Sequence, residues 1–199
     1  MPIAPRTLVA FLVAVSFAAG LNLYATTATL GILARLGWVE LPGGLGPLGN
    51  PWVIGAGLLL FGCEIFADKI PFVDLVWNVA HTFIRVPVAA LLAWRASAPL
   101  SPGAQALVVA LSAAVAALAH GSKTTARALV TPSPEPVSNI ALSSGEDLVA
   151  IGLTWLATSH PVAAAVGVGA VLVGVAWFAR RLVMVGRSQW RRLQAWRPL

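Results

Sequence analysis

The sequence predicts an all-α, polytopic membrane protein with about six transmembrane helices. Of its 199 residues, 58% are hydrophobic and only 10% are charged, against about 25% charged residues in soluble domains. The mean hydropathy is +0.84. The apolar stretches approach or exceed about 20 residues, the length that a helix needs to cross a bilayer. We therefore expect a single transmembrane domain over residues 1–199 and no large soluble domain.

The first apolar stretch, residues 7–36, is too long for one ordinary helix and is interrupted at Gly20-Leu21-Asn22. We predict a tilted or broken first span here. Its start resembles a secretory signal peptide, because Arg6 precedes an apolar run. The run continues without a polar mature start, so we expect this helix to be retained.

Glycine and proline separate the remaining predicted spans. Residues 41–50 form a loop rich in both, and three prolines between residues 131 and 136 predict a rigid turn. The further spans are predicted at residues 51–68, 74–94, 104–122, 138–158 and 161–181.

The two halves of the chain, residues 7–95 and 104–181, share a pattern of residue classes. Each begins with a helix that contains a glycine-centred polar break, and each second helix carries acidic residues. Three spans per half would orient the halves oppositely, as in the inverted repeats of secondary transporters. The alternative is a chance similarity between two three-helix units. Residues 182–199 are predicted to form a basic cytoplasmic tail.

The basic residues indicate an orientation. With six spans both termini lie on one side, together with Arg6, Lys69, Lys123, Arg127 and the tail. The positive-inside rule then predicts an inner (cytoplasmic) membrane protein with both termini in the cytoplasm. The arginines near the carboxyl end are interpreted as this topology signal and as a contact with anionic lipids, and nucleic-acid binding is not expected. They are Arg180, Arg181, Arg187, Arg191, Arg192 and Arg197.

Ionisable residues recur at helical spacing inside the predicted spans. Asp74, Asn78, His81 and Arg85 lie four, three and four residues apart, so they share one helix face. A charge near the bilayer centre costs about 3 kcal/mol on insertion scales. The charged residues of these spans must therefore face one another or water.

Arg85 keeps its charge even in a dry interior, so we predict that it contacts a carboxylate, a bound anion or internal water. The carboxylate candidates are Glu64, Glu146 and Asp147. Adjacent residues on a helix point about 100° apart. Glu146 and Asp147 are therefore expected to face different partners.

These patterns predict a polar site inside the membrane that binds a small polar solute or cation. Acidic residues would carry its charge, basic residues and histidines would gate or orient the solute, and asparagines would supply ligands at helix breaks. Neither a catalytic residue nor a metal ligand nor a cofactor is predicted, and Cys63 stands alone. The predicted solute- or ion-binding residues are Asn22, Glu64, Asp68, Lys69, Asp74, His81, Arg85, His120, Lys123, Arg127, Glu135, Asn139, Glu146 and Asp147.

Some of these residues also have a simpler interpretation. Asp68 and Lys69 would then only cap a helix end at the interface, where a lysine side chain reaches towards water. His81 would be a hydrogen-bonded structural residue. Glu135, between two prolines, would belong to an ordinary loop.

Several motifs resemble an uncharacterised family of bacterial integral-membrane proteins, which is known only as a domain of unknown function. The resemblance covers roughly residues 15–160 and implies a membrane protein without supplying an activity. A weaker similarity links the acidic motif to cation–proton exchangers bearing Glu-x-Gly-Asp-Lys-Ser/Thr, although the two acids here are one residue further apart. The motifs are Gly20-Leu21-Asn22, Phe66-Ala67-Asp68-Lys69-Ile70-Pro71 with Asp74, His81-Thr82-Phe83-Ile84-Arg85, His120-Gly121-Ser122-Lys123, Ser133-Pro134-Glu135-Pro136-Val137-Ser138-Asn139 and Glu146-Asp147.

The favoured function is that of a transporter or permease-like protein in which proton coupling is an option. One alternative is a membrane scaffold or assembly factor whose polar residues join helices. A less favoured alternative is a membrane-embedded lipid-modifying enzyme, because the sequence has no His-Glu-x-x-His, Gly-x-Ser-x-Gly or Cys-x-x-Cys motif. Expected partners are the lipid bilayer and a small polar solute or cation, with a homo-oligomer as an open alternative.

Overall fold

The computed structural model describes residues 4–130 and 136–195, and every regular element in these ranges is helical. This confirms the predicted all-α class. Proline stands first in six of the seven α-helices, where its missing N–H group has no helical partner to lose. The elements are α1 (Pro5–Leu21), α2 (Leu23–Arg35), a 3-10 helix (Gly43–Gly49), α3 (Pro51–Ala67), α4 (Pro71–Ala96), α5 (Pro102–Val130), α6 (Pro136–Ser159) and α7 (Pro161–Ala195).

Four helical segments of the described chain are long and apolar enough to cross a membrane: Val76–Ala96, Pro102–Arg127, Ile140–Ser159 and Pro161–Arg187. The 3-10 helix and α3, which meet at an angle of 69°, together form a fifth candidate. Large apolar side chains cover the outer surfaces of these helices, as a lipid environment requires. The chain is thus a membrane protein with four or five candidate spans in its described part, and a sixth is not found there.

The first two helices fold back on each other. Thr7 near the start of α1 lines the same cavity as Glu40 and Pro42, which follow α2. α2 runs antiparallel to α3, because Ala28 faces Gly57 and Gly31 faces Ile54. We call α1 and α2 together the α1–α2 hairpin, and its tip is Gly20-Leu21-Asn22.

The hairpin corrects the prediction of one broken span over residues 7–36. The break itself is where the sequence placed it, but the chain reverses there instead of continuing across. Asn22 is extended (φ −146°, ψ 104°), and its side-chain oxygen accepts a hydrogen bond from the Ala25 amide and so caps α2. A single residue of this conformation redirects the chain, and sequence periodicity carries no information about the new direction.

The hairpin also changes the predicted placement of the termini. We call the end of the bundle with the α4–α5 and α6–α7 connections the upper end, and the opposite one the lower end. Thr7 lies beside Pro161 at the upper end, whereas α7 runs from there to the lower end. The described termini therefore lie at opposite ends, against the prediction. The halves at residues 7–95 and 104–181 hold four and three described α-helices, so their helices do not correspond one to one.

α1 occupies the centre of the bundle. Every residue from 14 to 21 is buried, and α1 packs against α4, α5, α6 and α7. It approaches α5 closely at Gly20. A Cβ atom there would lie 2.5 Å from the Ala116 carbonyl oxygen and 2.7 Å from the Ala119 Cβ. The absence of a side chain at Gly20 thus allows the hairpin tip to reach the middle of the bundle.

We expect Gly20→Ala to lower the thermal unfolding midpoint of the purified protein in detergent. Overpacking costs about 1–3 kcal/mol, which outweighs the gain of up to about 1 kcal/mol from the better helix propensity of alanine. Gly55→Ala on α3 is the matched control, because no atom lies within 4 Å of its added Cβ. Equal midpoints for the two variants would contradict the close α1–α5 contact.

Candidate functional site

Six ionisable side chains from four parts of the chain meet at the hairpin tip. Each is at most 9% exposed, and each takes part in an ion pair with another member. We call them the charged cluster. They are Glu64 on α3, Asp68 directly after α3, Arg85 on α4, Lys123 and Arg127 on α5, and Glu146 on α6.

Arg85 is fully buried and forms the predicted contact with a carboxylate. Its Nη2 donates a hydrogen bond to Oε1 of Glu64, and Lys123 Nζ lies 3.3 Å from the same oxygen. The predicted convergence of the polar faces is therefore confirmed for these residues. Glu64 supplies one carboxylate to two cations.

The same two cations bind the end of α1. Arg85 Nη1 donates to the carbonyl oxygens of Gly20 (3.2 Å) and Leu21 (2.9 Å), and Lys123 Nζ donates to that of Leu21 (3.1 Å). The last carbonyls of a helix have no partner within the helix and carry a partial negative charge. The cations thus satisfy backbone groups that the break leaves exposed inside the bundle.

The lower part of the cluster is built around Arg127. Its Nη2 lies 2.6 Å from Asp68 Oδ2 and 2.9 Å from Glu146 Oε2, and the Ser143 hydroxyl donates to the same Asp68 oxygen at 2.8 Å. Lys123 Nζ is 3.7 Å from Asp68 and 3.4 Å from Glu146. Because it also reaches Glu64, Lys123 links the upper and lower parts.

Asp147 is held differently from the other acids. Its Oδ1 accepts a hydrogen bond of 2.8 Å from Nδ2 of Asn22, and none of the basic side chains that the structure describes lies within 4 Å of it. Glu146 faces Lys123 and Arg127 instead, so the two adjacent acids have different partners, as predicted. Through Asn22, Asp147 contacts the residue at which the chain reverses.

Two histidines border the cluster. His81 Nδ1 lies 2.7 Å from the Trp77 carbonyl oxygen and Nε2 lies 2.9 Å from the Tyr24 hydroxyl. A carbonyl only accepts, so Nδ1 of His81 carries a proton. His120 Nδ1 lies 3.2 Å from Nη1 of Arg85, and its Nε2 lies 2.9 Å from the Thr82 hydroxyl. A guanidinium only donates, so His120 accepts at Nδ1 and is neutral in this arrangement.

Some predicted site residues do not belong to this arrangement. Lys69 is exposed, with Nζ 5.6 Å from the centre of the Phe66 ring. The side chains of Asp74 and Asn139, and the whole of Glu135, lie outside the part of the chain that the structure describes. Within that part, no group of three or more histidine, cysteine or acidic side chains is arranged to hold a metal ion.

The predicted site residues omit two hydroxyl residues that contact the histidines. Tyr24 is the sole tyrosine of the chain and lies in an apolar stretch, which was a usable signal. Thr82 precedes Arg85 by three residues and so shares its helix face. Both place a hydroxyl against a histidine ring nitrogen.

We expect Arg85→Met to lower the thermal unfolding midpoint strongly, because removing one partner of a buried ion pair costs about 3–5 kcal/mol. Adding Glu64→Met should cost less in the Arg85→Met background than in the unmodified protein, because Glu64 has then already lost one of its two cations. Arg95→Met is the control, since this exposed arginine lies in the last turn of the same helix. Additive losses in the double variant would show that Arg85 and Glu64 are not coupled.

A comparison with known proteins identifies the family of this chain. A family model described as "Domain of unknown function (DUF4126)" matches residues 9–181, a range that includes most of the α1–α2 hairpin, the charged cluster and Asp147. No curated protein and no solved structure matches the chain. The resemblance predicted from the motifs is confirmed at the level of an uncharacterised family. Because the model covers most of the chain, the protein belongs to the family Domain of unknown function (DUF4126).

Proposed function

We propose that the protein is a transporter that moves a small polar solute or cation through the bundle, coupled to protons that bind at Asp147. The observation that carries the proposal is the meeting of the charged cluster and Asp147 at the tip of the α1–α2 hairpin.

The burial of so many charges favours a functional site. Replacing a buried ion pair by well-packed apolar residues is often neutral or stabilising by about 1–4 kcal/mol. Small and weakly polar residues suffice to join helices in a membrane. Discontinuous helices at membrane depth are tolerated where they are buried in protein or line a cavity, and in transporters their ends form the solute and ion sites.

The charge balance favours a proton or cation as the coupling ligand. Among the described side chains, the cluster and Asp147 together contain four carboxylates and three side chains that are cationic at neutral pH. Each carboxylate of the cluster lies within 4 Å of at least two of these cations. Asp147 has the Asn22 amide instead. The surplus negative charge is therefore assigned to Asp147, where a proton would neutralise it.

Protonation of Asp147 would weaken its hydrogen bond to Asn22 at the tip of the hairpin. A hydrogen bond to a charged carboxylate is roughly twice as strong as one between neutral groups. Because Asn22 also caps α2, this change acts directly on the residue that connects the two arms. Proton binding is thereby linked to the position of the tip, and the tip carbonyls contact Arg85 and Lys123.

The proposed location is the bacterial inner membrane, with the lower end in the cytoplasm. Lys69 and the arginines in the second half of α7 lie towards the lower end, whereas the upper end has Arg6, Arg35 and Arg95. The positive-inside rule assigns the more basic end to the cytoplasm. In this orientation the amino terminus is periplasmic and the tail at 182–199 is cytoplasmic.

Single cysteines in a variant that lacks Cys63 test this orientation. A membrane-impermeant maleimide added to intact cells should label Ala4→Cys and Gly46→Cys, which lie at the upper end. It should label Arg187→Cys only after the cells are opened. If Ala4→Cys is protected in intact cells while Gly46→Cys is labelled, the first span crosses the membrane and the hairpin is wrong.

Proton coupling can be measured in proteoliposomes that contain a pH-sensitive dye. When gradients of sodium, potassium and small polar solutes are imposed in turn, one of them should change the internal pH. We expect Asp147→Asn and Glu64→Gln to abolish this change. Asp147→Asn should also keep the fold, because asparagine preserves the shape of a residue whose described partner is the Asn22 amide. Glu64→Gln should lower the thermal unfolding midpoint, because Arg85 and Lys123 lose the carboxylate that they share. Glu40→Gln is the control, since this residue lies in the upper loop, away from the cluster.

The scaffold alternative predicts another result. If Asp147→Asn leaves the internal-pH response unchanged and restores wild-type growth to a deletion strain, Asp147 carries no coupling proton and the scaffold alternative replaces the proposed transport. Crosslinking should then identify protein partners. One observation favours the scaffold alternative. Each cation of the cluster already contacts at least two acceptors of the protein.

A further inference from the structure

A groove of about 720 Å³ lies between the lower half of α5 and the middle of α7. Small residues on both helices create it. Neither Gly121 on α5 nor Gly174 on α7 has an atom within 4 Å of the position that a Cβ would take. The hydroxyls of Ser122 and Thr125 donate to carbonyls of their own helix at 2.7 and 2.8 Å. The groove therefore presents an apolar surface to an occupant.

The length of the groove fits one leaflet of a bilayer. On α5 it extends from Ala117 to Ala126, which is about 13 Å at the helical rise of about 1.5 Å per residue. Half of the hydrocarbon core is about 15 Å thick. A transmembrane helix from a second copy would cross the full thickness, so an acyl chain suits the groove better.

The lower end of the groove is positively charged. Arg180 and Arg181 directly follow Ala179, which lines it, and both are exposed. The Arg181 guanidinium lies 5.3 Å from the centre of the Trp177 ring, a residue type that favours the membrane interface. Neither α5 nor α7 contains an aspartate or glutamate. No acid on the two helices that form the groove neutralises these arginines.

We propose that the α5–α7 groove is a binding site for an anionic phospholipid, with one acyl chain in the groove and the phosphate at Arg180 and Arg181. Arginine suits this ligand because its planar guanidinium donates paired hydrogen bonds to phosphate oxygens. The apolar groove supplies the chain contacts and the arginines select the headgroup. This site is separate from the charged cluster, and it does not depend on transport.

The test uses the purified full-length protein in detergent and measures lipid binding by native mass spectrometry. Phosphatidylglycerol and phosphatidylcholine with identical acyl chains are the probes. We expect phosphatidylglycerol to bind at least about tenfold more tightly than phosphatidylcholine, because each of the two arginines attracts the anionic headgroup. Arg180→Gln with Arg181→Gln should remove this preference. Arg187→Gln, further along α7, should keep it.

A second pair of variants tests the groove itself. Gly174→Leu places a side chain in the groove and should weaken the binding of both lipids. Gly167→Leu is its control on the same helix, because the added Cβ also meets no atom within 4 Å but does not line the groove. Equal binding of the two lipids by the unmodified protein, or unchanged binding by Gly174→Leu, would overturn the proposal. A change from dimer to monomer in Gly174→Leu would also overturn it and would assign the groove to a second copy.

Discussion

The arrangement of the bundle depends on how the last carbonyl groups of α1, which lack partners within the helix, are hydrogen-bonded. This helix stops at Leu21 in the middle of the protein, where water is not available for its last carbonyls. Arg85 and Lys123 donate to them. Two buried cations then require carboxylates, and Glu64 serves both. Lys123 extends the requirement to Asp68 and Glu146, and these in turn hold Arg127. One interrupted helix thus accounts for most of the charged cluster.

The sequence predicted the members of this cluster better than the path of the chain that creates it. Helical spacing and the cost of a charge in lipid were enough to pair Arg85 with a short list of acids, because few combinations satisfy both. The position of the break was also readable, since glycine and asparagine interrupt an apolar run. The reversal at Asn22 was not, because it depends on one backbone conformation and on packing of α2 against α3.

The prediction that both termini lie on one side depended on counting residues 7–36 as one crossing. A six-span model places the start and end of the chain on the same side, whereas a hairpin followed by five crossings places them on opposite sides. The positive-inside argument used both the number of spans and the charges. Arg6 therefore supported the cytoplasmic side only as long as residues 7–36 were counted as a crossing. Residues such as Tyr24 were missed for a related reason, since their partners lie on helices whose relative position the hairpin determines.

α5 contacts the charged cluster, the hairpin tip and the groove beside α7. His120, Lys123 and Arg127 lie three and four residues apart and face the charged cluster. Ala116 and Ala119 form the surface against which Gly20 packs, and Gly121 and Ala126 face the groove beside α7. A helix moves as a rigid element over this length, because its backbone hydrogen bonds fix each turn to the next. Any displacement of α5 therefore acts on the hairpin tip, on two cations of the cluster and on the groove together. The three surfaces of this one helix join the membrane-facing side of the protein to its buried charges.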